Sequence, residues 1–436
     1  MIEQIELANG LVACVAPNSS TPVVAVSLLY RVGSADEAPG RTGLAHLFEH
    51  LMFQGSLNVR KGGHFALIRA VGGRANAATG MDCTYYQDRL PSHQLELALW
   101  LEAERLAHLP AGLDQANLDN QRDVVRNERR RNIDNAPYGD AEGLLQSLVY
   151  PAGHPYAHEI FGSMEDLAGA TLEDVHRFFE AHYSPNNAVL TIVGDADPSS
   201  AFEMVERHFG GLPRGKVAPP RTFPVQAPPR TDPVFLRVER RVSLPAIYIS
   251  YPIPPLGDDS WKAAEVIADL LGRGRASRLY AALVRAELAQ EAEAWTYPLL
   301  DDPARLTIDV TARATADTDA VAAAILGEVE RLGDSGPSAS DLDRVRLLRR
   351  TEHAVDMELT QERADRIGMY ASLLGTPERA NEELSRYDAV DRDQVRDFVS
   401  SFLTPHRRVQ LTYVPQTSAP DNGSAPLDQG STVATP

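Results

Sequence analysis

Apolar positions in this chain of 436 residues follow two rhythms, and the same succession of rhythms occurs twice. Pro22-Val23-Val24-Ala25-Val26-Ser27-Leu28-Leu29-Tyr30 reads as a β-rich run, and Pro245-Ala246-Ile247-Tyr248-Ile249-Ser250-Tyr251 mirrors it. Each gives way, after a glycine-containing loop, to a helical pattern. Later in the first half, Val175, Phe178 and Phe179 mark one helix face, Tyr183-Ser184-Pro185 stops the helix, and Ala188–Val193 reads as a buried strand. Val395, Phe398 and Val399, then Leu403-Thr404-Pro405 and Val409–Val414, repeat that order. Halves that begin and end with strands and place helices between them predict an α+β fold. The chain reads as two homologous domains, each a mainly antiparallel sheet covered by helices.

Between Leu212 and Val234 the prolines are too dense for helix interior or central strand, which predicts an extended linker. The expected division is 1–212 for the first domain, 213–233 for the linker, 234–415 for the second domain and 416–436 for a disordered tail. The length suits two cores of ordinary size. A net charge of −18 argues against general affinity for nucleic acid or anionic membrane. Cys14 and Cys83 are the only cysteines, so neither a disulfide framework nor a cysteine-based zinc knuckle is available. The acidic start and the lack of a long apolar run predict a cytoplasmic chain without a membrane span.

The strongest chemical signal is His46-Leu47-Phe48-Glu49-His50, inside an apolar run that predicts a buried helix. Residues four apart on a helix share a face, so both imidazoles can reach one Zn²⁺. Glu49 projects beside that metal, where a general base must sit to take a proton from water. Two histidines and a carboxylate on one buried turn would be costly to desolvate for structure alone.

This H-x-x-E-H is the inverted zincin arrangement, and its flanks resemble the M16 metallopeptidase family, in particular its short-chain, mitochondrial-processing-peptidase-like members. Gly72–Thr79 followed by Asp82, Thr84 and Tyr86, then Gln121–Glu128, and then Leu271–Gly274 with Ser277–Tyr280, agree with that family in order and spacing. The resemblance implies a LuxS/MPP-like metallohydrolase fold and a zinc endopeptidase with one Zn²⁺ per chain. It supplies Glu128 as the third metal ligand beside His46 and His50. Gln121, two turns earlier, stands where many relatives carry a glutamate supporting the metal ligands. Glycines ahead of the Asn76–Tyr86 run predict an edge strand. In the family an extended peptide adds itself to such an edge, which implies substrate contacts for Asn76, Ala77 and Thr79.

The second half has no histidine in the segment matching the zinc helix, around Trp261–Gly272, which predicts a single metal site. Short members of the family pair with a second chain to enclose the substrate. Many supply an Arg/Tyr pair from the partner's second domain, and Leu299 to Val310 holds no convincing match. A heterodimer with a zinc-free second M16-like chain is therefore expected, with a homodimer as the alternative. The competing functional readings are a non-catalytic assembly subunit and a protease that trims a leader from a small peptide. Arg129-Arg130-Arg131 reads as a solvated helix face, His64, His93 and His108 as surface or satisfied residues, Cys83 as a small core residue, and Gly272-Arg273-Gly274 as a helix-entry turn.

Overall fold

The computed structural model describes residues 1–218, 220–223, 232–301 and 303–416. The expected tail thus lies outside the described residues, except for Gln416, as does the central part of the expected linker.

Among the described residues eleven strands form two mixed sheets. β1 (Glu3–Glu6), β2 (Val12–Pro17), β3 (Val23–Tyr30), β4 (Arg74–Thr79), β5 (Thr84–Pro91) and β6 (Ala188–Gly194) form the first, in the order β1-β2-β6-β3-β5-β4. β7 (Val234–Arg240), β8 (Ala246–Ile253), β9 (Ala289–Tyr297), β10 (Ala304–Ala312) and β11 (Val409–Pro415) form the second, in the order β7-β11-β8-β10-β9. Without β1, the two orders are the same. Each sheet has one parallel pair, β2 with β6 and β7 with β11, and its remaining pairs are antiparallel. The repeated hydrophobic pattern thus has a repeated topology behind it. The central strands β6 and β11 are buried because both faces are covered.

The paired stop signals work alike. Helices Leu172–His182 and Arg392–Phe402 each open on a capping box, Thr171 with Asp174 and Asp391 with Gln394. Each ends ahead of the proline that leads into the strand of its sheet that comes last in chain order, β6 or β11. Gly272–Gly274 belongs to a turn between two helical segments: Gly272 closes the helix Trp261–Gly272, and the chain becomes helical again at Arg278. A Cβ on Gly272 would lie 2.0 Å from the Ala294 backbone nitrogen, so the close approach of its helix to β9 requires glycine.

The halves do not merely sit in series. Helix Thr360–Leu374 of the second half packs Ala364, Ile367 and Ala371 onto Ala25, Val189 and Val193, the face of the first sheet opposite the buried motif helix. Arg221, from the proline-rich stretch, ties Asp36 to Asp82 and Asp301, linking both halves. Among the described residues no helix is long and apolar enough to cross a membrane.

Candidate metal centre

The H-x-x-E-H run forms the helix Leu44–Leu51, hereafter the motif helix. Its apolar residues Leu44, Ala45, Leu47, Phe48 and Leu51 enter the first core, which holds the turn rigid and leaves the polar residues on the opposite stripe. The helix starts at Gly43, in the left-handed region at φ 87°, without a side-chain cap of its own. Glu37 supplies the cap from outside. Its buried carboxylate accepts the Gly43 N–H at 2.8 Å and the Ala45 N–H at 2.7 Å. Burial lifts its pKa well above the usual range, and those two hydrogen bonds oppose the lift.

The donor atoms of His46, His50 and Glu128 lie within 4.8 Å of one another. Glu128 Oε2 is 3.3 Å from His50 Nε2 and 3.8 Å from His46 Nε2. Two ligands of a tetrahedral Zn²⁺ bound at about 2.0–2.1 Å stand about 3.3 Å apart, so the set fits the ion in chemistry and in spacing. Burial, followed by His50, lowers the His46 pKa to about 3, and burial also lowers that of His50. Neutral rings keep a lone pair free for a metal. Glu128 arrives on helix Gln115–Arg129, capped by Asp114 through the Asn117 N–H. On the same helix Gln121 is buried, donates to Asn120 Oδ1 at 2.9 Å, and raises the His50 pKa against the effect of burial.

Glu49 stands one residue before His50 on the motif helix, half-buried, its pKa raised by burial and by Glu128 against the pull of Thr79. Thr79 Oγ1 donates to Glu49 Oε2 at 2.6 Å. β4 is the last strand of its sheet, so one of its edges is free of any strand partner among the described residues. Ala75 and Ala77 pack toward the core, Asn76 is exposed, and Thr79 gives its hydroxyl to Glu49. Of the residues expected to touch substrate, Asn76 and Ala77 therefore lie along the free strand, while Thr79 engages the candidate base.

Several contributors were not legible in the sequence. Arg129 is not a solvated residue. It bonds Glu159 Oε2 at 2.7 Å and the Gly162 carbonyl at 3.0 Å. That loop brings the Phe161 ring edge-on to His46, 4.7 Å between centroids. A Cβ on Gly162, at φ 61°, would lie 2.1 Å from the Thr42 carbonyl carbon, so only glycine lets the loop cross the start of the motif helix. A second group, His64, Asp88 and Glu102, also gathers donor atoms within 4.8 Å. Here Arg105 binds Glu102 and stacks on Tyr86 at 4.1 Å, occupying the place a cation would take. His64, expected to be a satisfied residue, is hydrogen-bonded to Asp88 at 3.0 Å. Cys83 is half-buried, and burial pushes its thiol up to about 12, which suits packing and not nucleophilic chemistry.

Two sequence profiles match the chain: "Insulinase (Peptidase family M16)" over residues 13–150 and "Peptidase M16 inactive domain" over residues 169–348. The second begins ahead of β6, which nevertheless hydrogen-bonds into the first sheet. The chain is 29% identical over 378 residues to the zinc protease PqqE of Helicobacter pylori, covering 85% of this chain and 83% of PqqE. It is 26% identical over 373 residues to the probable zinc protease PqqL of Escherichia coli, covering 82% of this chain and 39% of PqqL. The crystal structure of a protease from Helicobacter pylori superposes with a TM-score of 0.90 at 25% identity, covering 95% of this chain and 100% of that one. The first half of the periplasmic protease PqqL shares the fold, with a TM-score of 0.74 at 21% identity, covering 95% of this chain and 92% of that one.

Proposed function

The chain belongs to the M16 peptidase family and is a zinc protease, and from that premise we propose that it is an endopeptidase for extended peptides laid along the free edge of β4. The observation that carries this reading is the convergence of His46, His50 and Glu128 beside Glu49, one strand-end away from that edge. In this reading His46, His50 and Glu128 hold one Zn²⁺ per chain, and Gln121 orients the His50 ring. The bound ion would polarise the scissile carbonyl and acidify a water toward a pKa of about 7. Glu49 takes the proton of the attacking water and returns it to the leaving amine. Thr79 keeps the Glu49 carboxylate aimed, and the backbone around Asn76 and Ala77 pairs with the substrate strand.

A second M16-like chain, in a heterodimer, completes the enclosure in the same proposal. Arg305 does lie over the Tyr297 ring at 5.1 Å, but it is 1% exposed and bound to Glu142, so its guanidinium is engaged inside the chain. A fully active homodimer in light scattering would remove the heterodimer. The catalytic proposal is tested by elemental analysis and by mapping cleavage of a mixed peptide pool. One zinc per chain and hydrolysis lost to chelator and restored by Zn²⁺ are expected. Metal-free active protein, or chelator-insensitive hydrolysis, would overturn it.

A further inference from the structure

One guanidinium from the proline-rich stretch gathers carboxylates from three separate parts of the chain. Arg221 Nε and Nη2 donate to the two oxygens of Asp36 at 2.9 and 3.0 Å. Its Nη1 donates to Asp301 Oδ2 at 2.7 Å and also reaches Asp82 Oδ1. Asp82 belongs to the turn between β4 and β5, Asp36 immediately precedes Glu37, and Asp301 lies between β9 and β10 of the second half. Tyr156 joins the same group, donating to Asp82 Oδ1 at 2.7 Å and accepting the Asp301 N–H at 3.1 Å. The Leu300 N–H reaches the other Asp82 oxygen at 2.9 Å. The Arg221 side chain is only 14% exposed. Asp36, Asp82 and Asp301 thus share one cation in a mostly buried setting, and its removal would leave them uncompensated.

Both first-half carboxylates adjoin the groups that hold the motif helix. The Ser34 and Ala35 N–H groups bond the Gly80 and Met81 carbonyls at 3.1 and 2.9 Å, so segment 34–37 and the β4–β5 turn form one unit. A Cβ on Gly33 would collide with both carbonyl oxygens. Ala35 and Met81 are buried in the core of the second sheet, together with Tyr156 and Leu299. From this unit Glu37 reaches the Gly43 and Ala45 N–H groups, and Thr79, directly before the turn, donates to Glu49. The unit therefore meets the motif helix twice, at its start and at the candidate base. Resting on the peptidase reading above, we propose that Arg221 is a positioning residue for peptide hydrolysis. It fastens segment 34–37 and the β4–β5 turn to the second half through charge-assisted hydrogen bonds. That keeps Thr79 aimed at Glu49 and the β4 edge in place beside the metal centre. The second half thereby acts on the reaction through Asp301, Leu300 and one guanidinium.

The test uses the full chain at saturating zinc and temperatures well below each variant's own melting point. Arg221→Met should lower kcat at least tenfold while one zinc per chain is retained. Arg221→Lys keeps the charge but cannot hold both Asp36 oxygens while reaching Asp82 and Asp301. It should lower kcat at least threefold, which covers the case in which Arg221→Met does not fold. Guanidinium ion at millimolar concentration should restore part of the activity of Arg221→Ala, and sodium ion at equal ionic strength should not. A loss of stability alone would respond in the opposite sense, because guanidinium weakens folding. Amide exchange at Ser34 and Ala35 should quicken in the same variants. Faster exchange with kcat at the unaltered level in both Arg221→Met and Arg221→Lys would make the tie purely structural and overturn the proposal. A fall in kcat that only tracks the unfolded fraction would overturn it too. Hydrolysis by the unaltered enzyme that is absent or insensitive to chelator strikes the peptidase reading instead, so the two failures are distinguishable.

Discussion

The helix that follows the second strand of the repeat, β3 in the first half and β8 in the second, has opposite chemistry in the two halves. In the first half, the motif helix after β3 gathers two neutral imidazoles and a glutamate around a space with no permanent cation in it. In the second half, helix Trp261–Gly272 after β8 carries Lys262, closed into ion pairs with Glu265 and Glu383, and Asp269, closed into ion pairs with Arg349 and Arg273. The lesson is physical. A metal site needs donors whose charge is incomplete until the ion arrives, whereas an inactive copy keeps its polar residues buried by pairing them permanently.

Substitutions can break this contrast. The largest effect is expected at Glu49→Gln, which should lower kcat by about 10²–10⁴ while elemental analysis still finds zinc. His50→Ala should lose metal and activity together. In the second half, Lys262→Met should leave zinc content unchanged. It takes the cation from Glu265 and leaves Glu383 with Arg366 alone, at a cost of about 3 kcal/mol measured by denaturant unfolding. If Lys262→Met instead abolished metal binding, the division of labour between the helices would be wrong.

Glu37→Gln sharpens the comparison at the helix start. An amide has one acceptor oxygen where the carboxylate uses two, so one of the Gly43 and Ala45 N–H groups loses its partner. We expect about 1–2 kcal/mol of destabilisation and a weaker zinc affinity in chelator competition. A purely electrostatic role would leave Glu37→Ala no worse than Glu37→Gln.

The smallest effect concerns a pair of buried carboxylates. On β5, Asp88 shares its network with His64 and Arg105. On β10, Asp309 has an unpartnered oxygen, and burial, then Glu293 and Glu291, raise its pKa to about 7. The folded chain therefore holds this proton to higher pH than the unfolded chain. Its contribution to stability is complete below about pH 4 and declines as pH rises toward about 7. Asp309→Asn should melt close to the unaltered protein at pH 4 and above it at pH 7.5. Parallel melting curves across that range would contradict the assignment.

Much of the fold was legible because its signals are local. The two β-rich runs, the capped helices and their proline stops depend on residues within a dozen positions of one another. The motif helix was legible for the same reason. Glu128 was not: nothing local distinguishes it among the carboxylates, and only the resemblance singled it out. Arg129 was misread because a run of three arginines looks solvated, while its partners Glu159 and Gly162 lie in a distant loop.

The amino-acid order alone determined the duplicated unit, the single H-x-x-E-H and the absence of a second one, because these are matters of periodicity and spacing. Tertiary structure decided that Glu128 comes to stand beside His46 and His50, which residue caps the motif helix, and that Thr79 turns to Glu49. The physical reason is that charge and hydrogen-bond satisfaction are settled by neighbours in space, and the chain brings those neighbours together from positions that no local pattern connects.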